Sequence, residues 1–327
     1  MAGGQERILR TRIKSVESTK KITRAMELIA ATRVVKAQDR ASAARPYAEE
    51  ITSVIIDLVK AGAARDHPLL REHPGADTRA IIVVSSDRGL CGGYNSTVIR
   101  MAEREINAAR SDGEKFNLFV VGKKAQSYFK FRGFEITETF LGFTEQPTYE
   151  QARELGQAIR PLFEEGRFLS ADIIYWRFIS AGTQEAVVRR FLPLQTEERG
   201  ASADTGPSAD LEYEPSPTGI LNELLPRYVE SRIYSALLDA SASEYAARQR
   251  AMKAATDNAE ELKTTLSRIM NRARQDAITT EIMEIVGGAE ALGADKGSKE
   301  DLMPSFLQPE HFFPQHLDPR DHGPSPH

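Results

Sequence analysis

The two longest stretches without glycine or proline, residues 5–45 and 227–286, carry their apolar groups at helical spacing. In the first, Leu9, Ile13, Val16, Lys20, Thr23, Glu27, Ala30, Val34, Ala37, Ala41 and Ala44 alternate steps of four and three without a slip. That is the spacing of a left-handed two-helix seam. Lys20, Thr23 and Glu27 place three polar groups in succession on it, while Ile22, Met26, Leu28 and Ile29 lie off it. A helix with apolar groups on several sides is expected to meet more than one neighbour. The second stretch has a seam of small residues, Val229, Ile233, Ala236, Ala240, Ser243 and Ala247. Further on it reads Leu262, Leu266, Ile269, Ala273, then Ile278, Ile282, Ile285, Ala289 and Leu292. The five-residue step after Ala273 predicts a change of supercoiling beside Arg274, Gln275 and Asp276. Both stretches are rich in good helix formers and predict rods of about 60 and about 90 Å. Pro46 predicts a bend or restart, with helix continuing to about Lys60.

Between the rods the period changes. Ala80-Ile81-Ile82-Val83-Val84 reads as a strand buried on both faces. Helix is expected over Ser96–Arg110, strand over Phe116–Val121, helix over Lys123–Arg132, strand over Phe134–Thr139 and helix over Tyr149–Glu164. Asp172–Ile179 and Glu185–Leu194 are expected to pair as a hairpin across Ala181-Gly182-Thr183. The expected fold is a central Rossmann-like α/β domain plus a long antiparallel α-helical coiled coil formed by the N- and C-terminal helices. The segments are an N-terminal coiled-coil helix (1–60), a connector (61–78), the α/β domain (79–195), a loop (196–218), a C-terminal coiled-coil helix (219–292) and a disordered tail (293–327).

Charge changes this picture at one end. Met1 to Arg45 holds eleven Lys and Arg against four acids, a local excess of +7 in a chain whose total is −4. Such an arm seeks an acidic partner. It lacks the interleaved aromatics or a binding motif of a nucleic-acid arm, so the partner is expected to be protein. Glu6, Arg7 and Arg10 interrupt any signal-peptide core, and no stretch reaches a membrane span, so membrane association is expected only through partners. One cysteine, Cys91, rules out an intrachain disulfide and a multi-cysteine zinc site.

Candidate chemistry is sparse. SSDRGLCGGYN, Ser85–Asn95, is a Gly-rich turn after the buried strand, but it matches neither the P-loop nor the dinucleotide fingerprint. It is read as a tight structural turn rather than a phosphate site, and Cys91 within it as a small buried thiol. His311, His316, His322 and His327 lack the close pairing of a zinc site. No cofactor, metal or catalytic residue is expected.

Four motifs then point one way. KKITRAMELIAATR (Lys20–Arg33), SSDRGLCGGYN, RQRAMKAATDNAEEL (Arg248–Leu262) and NRARQDAITTEIMEIVGGAEAL (Asn271–Leu292) resemble, in order, the gamma-subunit family of F-type rotary ATP synthases. The resemblance spans residues 1 to about 292. It implies a non-catalytic central-stalk rotor, one copy per complex, that transmits torque between the membrane c-ring and three catalytic beta sites. The terminal helices would be an eccentric shaft within three alpha and three beta subunits, and the α/β domain a foot on epsilon and the c-ring. It implies Lys20, Lys21, Arg24 and Met26 as beta-contact residues of the first helix, and Arg274, Gln275, Thr279 and Glu281 as those of the last. Leu211, Glu212, Tyr213 and Glu214 resemble part of the foot near the c-ring. The implied location is peripheral, on the cytoplasmic face of a bacterial membrane. Two alternatives stand beside it, a static coiled-coil scaffold and a nucleotide-using α/β enzyme built around Ser85–Asn95. The chain runs about 35 residues past the family's usual end, and the tail is expected to emerge unstructured.

Overall fold

A computed structural model describes residues 2–60, 67–194 and 216–294. The expectations for Leu211–Glu214, for most of the loop before the second rod and for the tail from 295 onward lie outside these residues. Element order is α1 (Ala2–Lys60), β1 (Thr78–Val84), α2 (Tyr94–Ser111), β2 (Lys115–Val121), α3 (Lys123–Phe131), β3 (Glu138–Phe140), α4 (Tyr149–Glu164), β4 (Ser170–Phe178), β5 (Gln184–Leu192) and α5 (Pro217–Ala294). The chain forms two compact units, Met1–Ser18 with Glu260–His327, and Thr19–Ala259.

The larger unit is built on a five-stranded sheet of order β3-β2-β1-β4-β5. The first four strands are parallel, and β5 closes one edge as the antiparallel partner of β4. Period-two alternation decides what each face meets. Ile81, Val83, Leu118, Val120 and Ile174 face one core with α2 and α3, through Val98, Ala102, Ile106, Ala125 and Phe129. Ala80, Ile82, Val84, Phe119, Val121 and Tyr175 face the other. That second core takes Leu155, Ile159 and Phe163 from α4, Ile51, Ile55 and Leu58 from α1, and Leu221, Leu225, Val229, Ile233 and Leu237 from α5. The ends of both terminal helices therefore complete the domain's own core.

One expected element is corrected. Phe134 and Ile136 are not strand; they pack against the first core, and β3 is only Glu138–Phe140. An apolar pair at spacing two marks burial, which a loop provides as well as a strand does. As expected, α1 continues to Lys60, and it passes Pro46 without a restart. Pro46 sits on an exposed face of the helix.

The seam of α1 is confirmed position by position. Leu9, Thr23, Glu27, Ala30, Val34 and Ala37 are buried, and Ile13, Val16, Lys20, Ala41 and Ala44 half-buried. In the larger unit α1 and α5 run antiparallel. Thr23 meets Thr256, while Val34 and Ala37 cluster with Ala242, Tyr245 and Ala246. At the polar step the Thr256 hydroxyl donates to Thr23 Oγ1 (2.8 Å), which donates to the Lys20 carbonyl (3.0 Å). Glu27 takes both oxygens to Arg24 (2.9 and 3.0 Å). In the smaller unit Lys263 pairs with Glu17 at 2.8 Å.

The predicted phase break after Ala273 does not occur. Burial steps through Lys263, Leu266, Met270, Ala273 and Ala277, in threes and fours, while Leu262, Ile269, Ile278, Ile282 and Ile285 are exposed. Two different stripes of apolar residues had merged into one apparent seam, because side-chain type does not say which stripe is covered.

Candidate functional site

Three groups of residues carry the candidate chemistry. The first is the outer surface of α1 around the polar seam. Ile22, Leu28, Ile29 and Val35 are exposed by 58%, 56%, 60% and 58% although the helix already has its internal seam. Lys21 and Arg24 are exposed beside them, and Lys20 and Met26 are half-buried at the margin of the seam. The structure thus gathers the four residues expected here onto one stretch of helix, with Arg24 held by Glu27 at 2.9 Å.

The second group lies on the last turns of α5. Arg274, Gln275, Thr279 and Glu281 are all exposed, and Thr279 Oγ1 donates locally to the Gln275 carbonyl at 3.0 Å. Ile278, Ile282, Met283, Ile285 and Val286 are exposed among them. A helix surface of isoleucines alternating with polar donors makes this a candidate contact face.

The third group is the loop Ser85–Asn95. Several of its backbone donors are engaged. Ser86 N donates to Asn95 Oδ1 (2.9 Å), Asp87 N to Thr144 Oγ1 (3.0 Å) and Tyr94 N to the Cys91 carbonyl (3.3 Å). These bonds fix the two ends of the loop against β2, α2 and the segment after β3, the work of a structural turn. Asp87 is its organiser: its carboxylate accepts from Lys123 N (3.1 Å), Gly142 N (2.9 Å), Thr144 N (3.2 Å) and Thr144 Oγ1 (3.0 Å). It thereby ties together the loops following β1, β2 and β3. Asp87→Ala leaves three backbone donors and a hydroxyl without their acceptor and is expected to cost about 3 kcal/mol. Thermal denaturation of the isolated chain checks this, and a change within about 0.5 kcal/mol, the scatter of neutral surface changes, would refute it. Cys91 is buried, with Asn95 Nδ2 donating to its Sγ at 3.2 Å, and burial pushes its thiol up from the ordinary value, away from nucleophilic chemistry.

What the sequence did not reveal is where this loop docks. Glu244 and Arg248 on α5 are 1% and 7% exposed in their side chains and pair at 2.6 Å. Arg248 also reaches Glu145 (3.6 Å) and the Gly89 carbonyl (3.5 Å). Glu145 in turn pairs with Arg88 (3.2 Å), its carbonyl accepts from Ser241 Oγ (2.9 Å), and Tyr94 donates to the Ala240 carbonyl (3.0 Å). Burial raises Glu244 to about 7, against the pull of Arg248, and its Oε2 has no hydrogen-bond partner. An i,i+4 acid–base pair, Glu244 and Arg248, in a run of Ala and Ser interrupted otherwise by Tyr245 alone (Ala240–Arg248), was the available signal.

Among the described residues there is no group of His, Cys, Asp or Glu able to hold a metal ion, and no helix long and apolar enough to cross a membrane.

Comparison with known proteins agrees with the motifs. A family model described as ATP synthase matches residues 5–292. An ATP synthase gamma chain of Frankia casuarinae is 52% identical over 295 residues, covering 89% of this chain and 99% of that one. One from Mycolicibacterium smegmatis is 47% identical over 304 residues, covering 89% and 98%. Among solved structures, a chain of the Euglena gracilis mitochondrial ATP synthase in its OSCP/F1/c-ring assembly superposes with TM-score 0.64 at 18% identity, covering 92% of this chain and 99% of that one.

Proposed function

The chain belongs to the ATP synthase gamma-chain family, and we propose that residues 1–60 and 219–292 are its shaft and residues 79–195 its foot. It is a non-catalytic central-stalk subunit of the F-type ATP synthase, peripheral to the membrane, working with alpha, beta, epsilon and c-ring subunits. The cytoplasmic face of a bacterial membrane is the location we infer for it.

One observation carries the assignment of the contact residues. Both terminal helices satisfy an internal seam and still expose large apolar side chains, Ile22, Leu28 and Ile29 on one and Ile278, Ile282 and Ile285 on the other. A static two-helix scaffold has no use for that second apolar surface, whereas a shaft enclosed by a sleeve does. The neighbouring polar groups, Lys20, Lys21 and Arg24 with Met26 on α1, and Arg274, Gln275, Thr279 and Glu281 on α5, are the ones we assign to beta contacts. Exposed pairs of this kind contribute at most about 1 kcal/mol each, weak enough to break at every step of a rotation. The nucleotide-enzyme alternative finds no phosphate fingerprint in Ser85–Asn95, and Asn95 and Thr144 already take the Ser86 and Asp87 N–H groups.

The test is the R274A/Q275A double variant in the assembled complex. Proton pumping per ATP hydrolysed is expected to fall by about tenfold, as for loss of roughly 1.4 kcal/mol of stepwise coupling. A variant that pumps as the parent does removes both residues from the assignment.

A further inference from the structure

The foot of this chain touches α5 in two physically different ways. One is the broad apolar core, where Leu221, Leu225, Val229, Ile233 and Leu237 lie on the sheet. Such contact is strong but has no direction along the helix, so it resists separation more than sliding. The other is the polar cluster one turn beyond it, where the loops after β1 and β3 both meet Glu244 and Arg248. Hydrogen bonds and close ion pairs weaken steeply with misalignment, so they resist sliding and twisting.

We propose that the Glu244–Arg248 pair, with Glu145 and the Gly89 carbonyl, is the joint that passes torque between the α/β domain and the C-terminal helix. The proposal rests on the rotor reading above. Four observations support it. The pair is buried in a subunit whose other ion pairs are mostly exposed. Arg248 spans both loops at once, through Gly89 and Glu145. Glu145 is anchored to α5 a second time through its carbonyl and Ser241, and its Oε2 lies 3.5 Å from the Tyr245 hydroxyl. Gly92, at φ 57°, turns the loop against α5, where a Cβ would make ordinary contact with Ala251 Cβ at 3.6 Å.

Glu244 and Arg248 are positioning residues, and the titration of Glu244 separates that role from plain support. The charged and titratable groups around it are Arg248 and Tyr245 on α5, Asp87, Arg88 and Cys91 in the loop after β1, Tyr94 on α2, Glu145 before α4, and Arg33 on α1. With its carboxyl held up to about 7, Glu244 is about nine-tenths ionised at pH 8 and about one-tenth at pH 6. The ion pair therefore tightens as pH rises through 7 and slackens as it falls.

The experiment compares wild type and Glu244→Gln in the assembled, membrane-reconstituted complex, measuring proton pumping and ATP hydrolysis at pH 6 and pH 8. Glutamine mimics the protonated carboxyl at every pH. The expected result is a pumping-to-hydrolysis ratio about twofold or more below wild type at pH 8, converging with wild type at pH 6. Equal ratios at both values overturn the proposal. If the glutamine variant fails to assemble, Arg248→Lys takes its place; full coupling of that variant at pH 8 overturns it equally. If neither assembles, amide exchange at Gly89–Gly93 in the wild-type complex is compared with β1 and corrected for intrinsic rates. Protection that does not weaken between pH 8 and pH 6 then counts against the joint. Failure of the wild-type chain to assemble with alpha and beta subunits would instead strike the rotor reading itself.

Discussion

Gly122→Ala is expected to cost at least about 4 kcal/mol, a large fraction of the stability of an ordinary domain. Gly122 ends β2 and precedes α3 with φ 93° and ψ 144°, a conformation side chains rarely adopt. A Cβ there would fall 2.7 Å from Ser85 Oγ and 2.8 Å from its carbonyl carbon, closer than such atoms approach in folded chains. Ser85 cannot withdraw. Its N and Oγ both donate to the Val121 carbonyl, and its Oγ accepts from Ala125 N, so moving it unpicks the junction of β1, β2 and α3. Gly142 is the natural comparison. Its φ is 89°, but a Cβ there would meet nothing within 4 Å, so Gly142→Ala should show backbone strain alone, about 1–2 kcal/mol. Urea denaturation of the isolated chain distinguishes the two. A Gly122→Ala midpoint no lower than that of Gly142→Ala would show that the Ser85 junction yields.

Arg248→Ala is expected to destabilise the chain in a pH-dependent way. Glu244 has a folded-state value raised from 4.5 to about 7, so the folded chain keeps a proton that the unfolded chain releases. Wild-type stability from this group is therefore fully present below about pH 4.5 and declines until pH passes about 7, where the loss levels off. Removing Arg248 takes away the neighbour that pulls Glu244 down, so in the variant the decline continues above pH 7. The gap between the two should be smallest below pH 6, where it reflects lost packing of the arginine stem. Above pH 8 it should open to about 3 kcal/mol or more, the scale for stranding one member of a buried pair. Melting temperatures of both chains from pH 5 to pH 9 check the sign. A gap that is constant with pH would mean that Glu244 does not titrate where burial places it.

Much of the fold was legible because its signals are local. The four-three spacing from Leu9 to Ala44 matched the buried positions of α1 without exception, and Tyr149–Glu164 was read with its boundaries correct. Helix α4 announces itself through the Thr148 and Gln151 capping box and a clear apolar stripe. Phe134–Thr139 was misread because six residues of mixed pattern cannot tell a short edge strand from a packed loop. The proposed contact residues on both terminal helices came from motif resemblance; their exposure, and that of the isoleucines around them, came from the structure.

The amino-acid order by itself determined the two helices, the internal seam of the first, the doubly buried strands and the family. Each of these is written in periodicity or in contiguous motifs, which need no knowledge of distant neighbours. Only the tertiary structure decided which apolar stripe of α5 is covered and which is open, since Leu266 and Ile269 look alike in sequence and differ in what lies beside them. It also decided the fate of Glu244 and Arg248, which by spacing are an ordinary surface pair of a helix. They are buried because α1 and the loops after β1 and β3 converge on that turn from positions 100 or more residues away, and desolvation, a property of that convergence, gives the pair its chemistry.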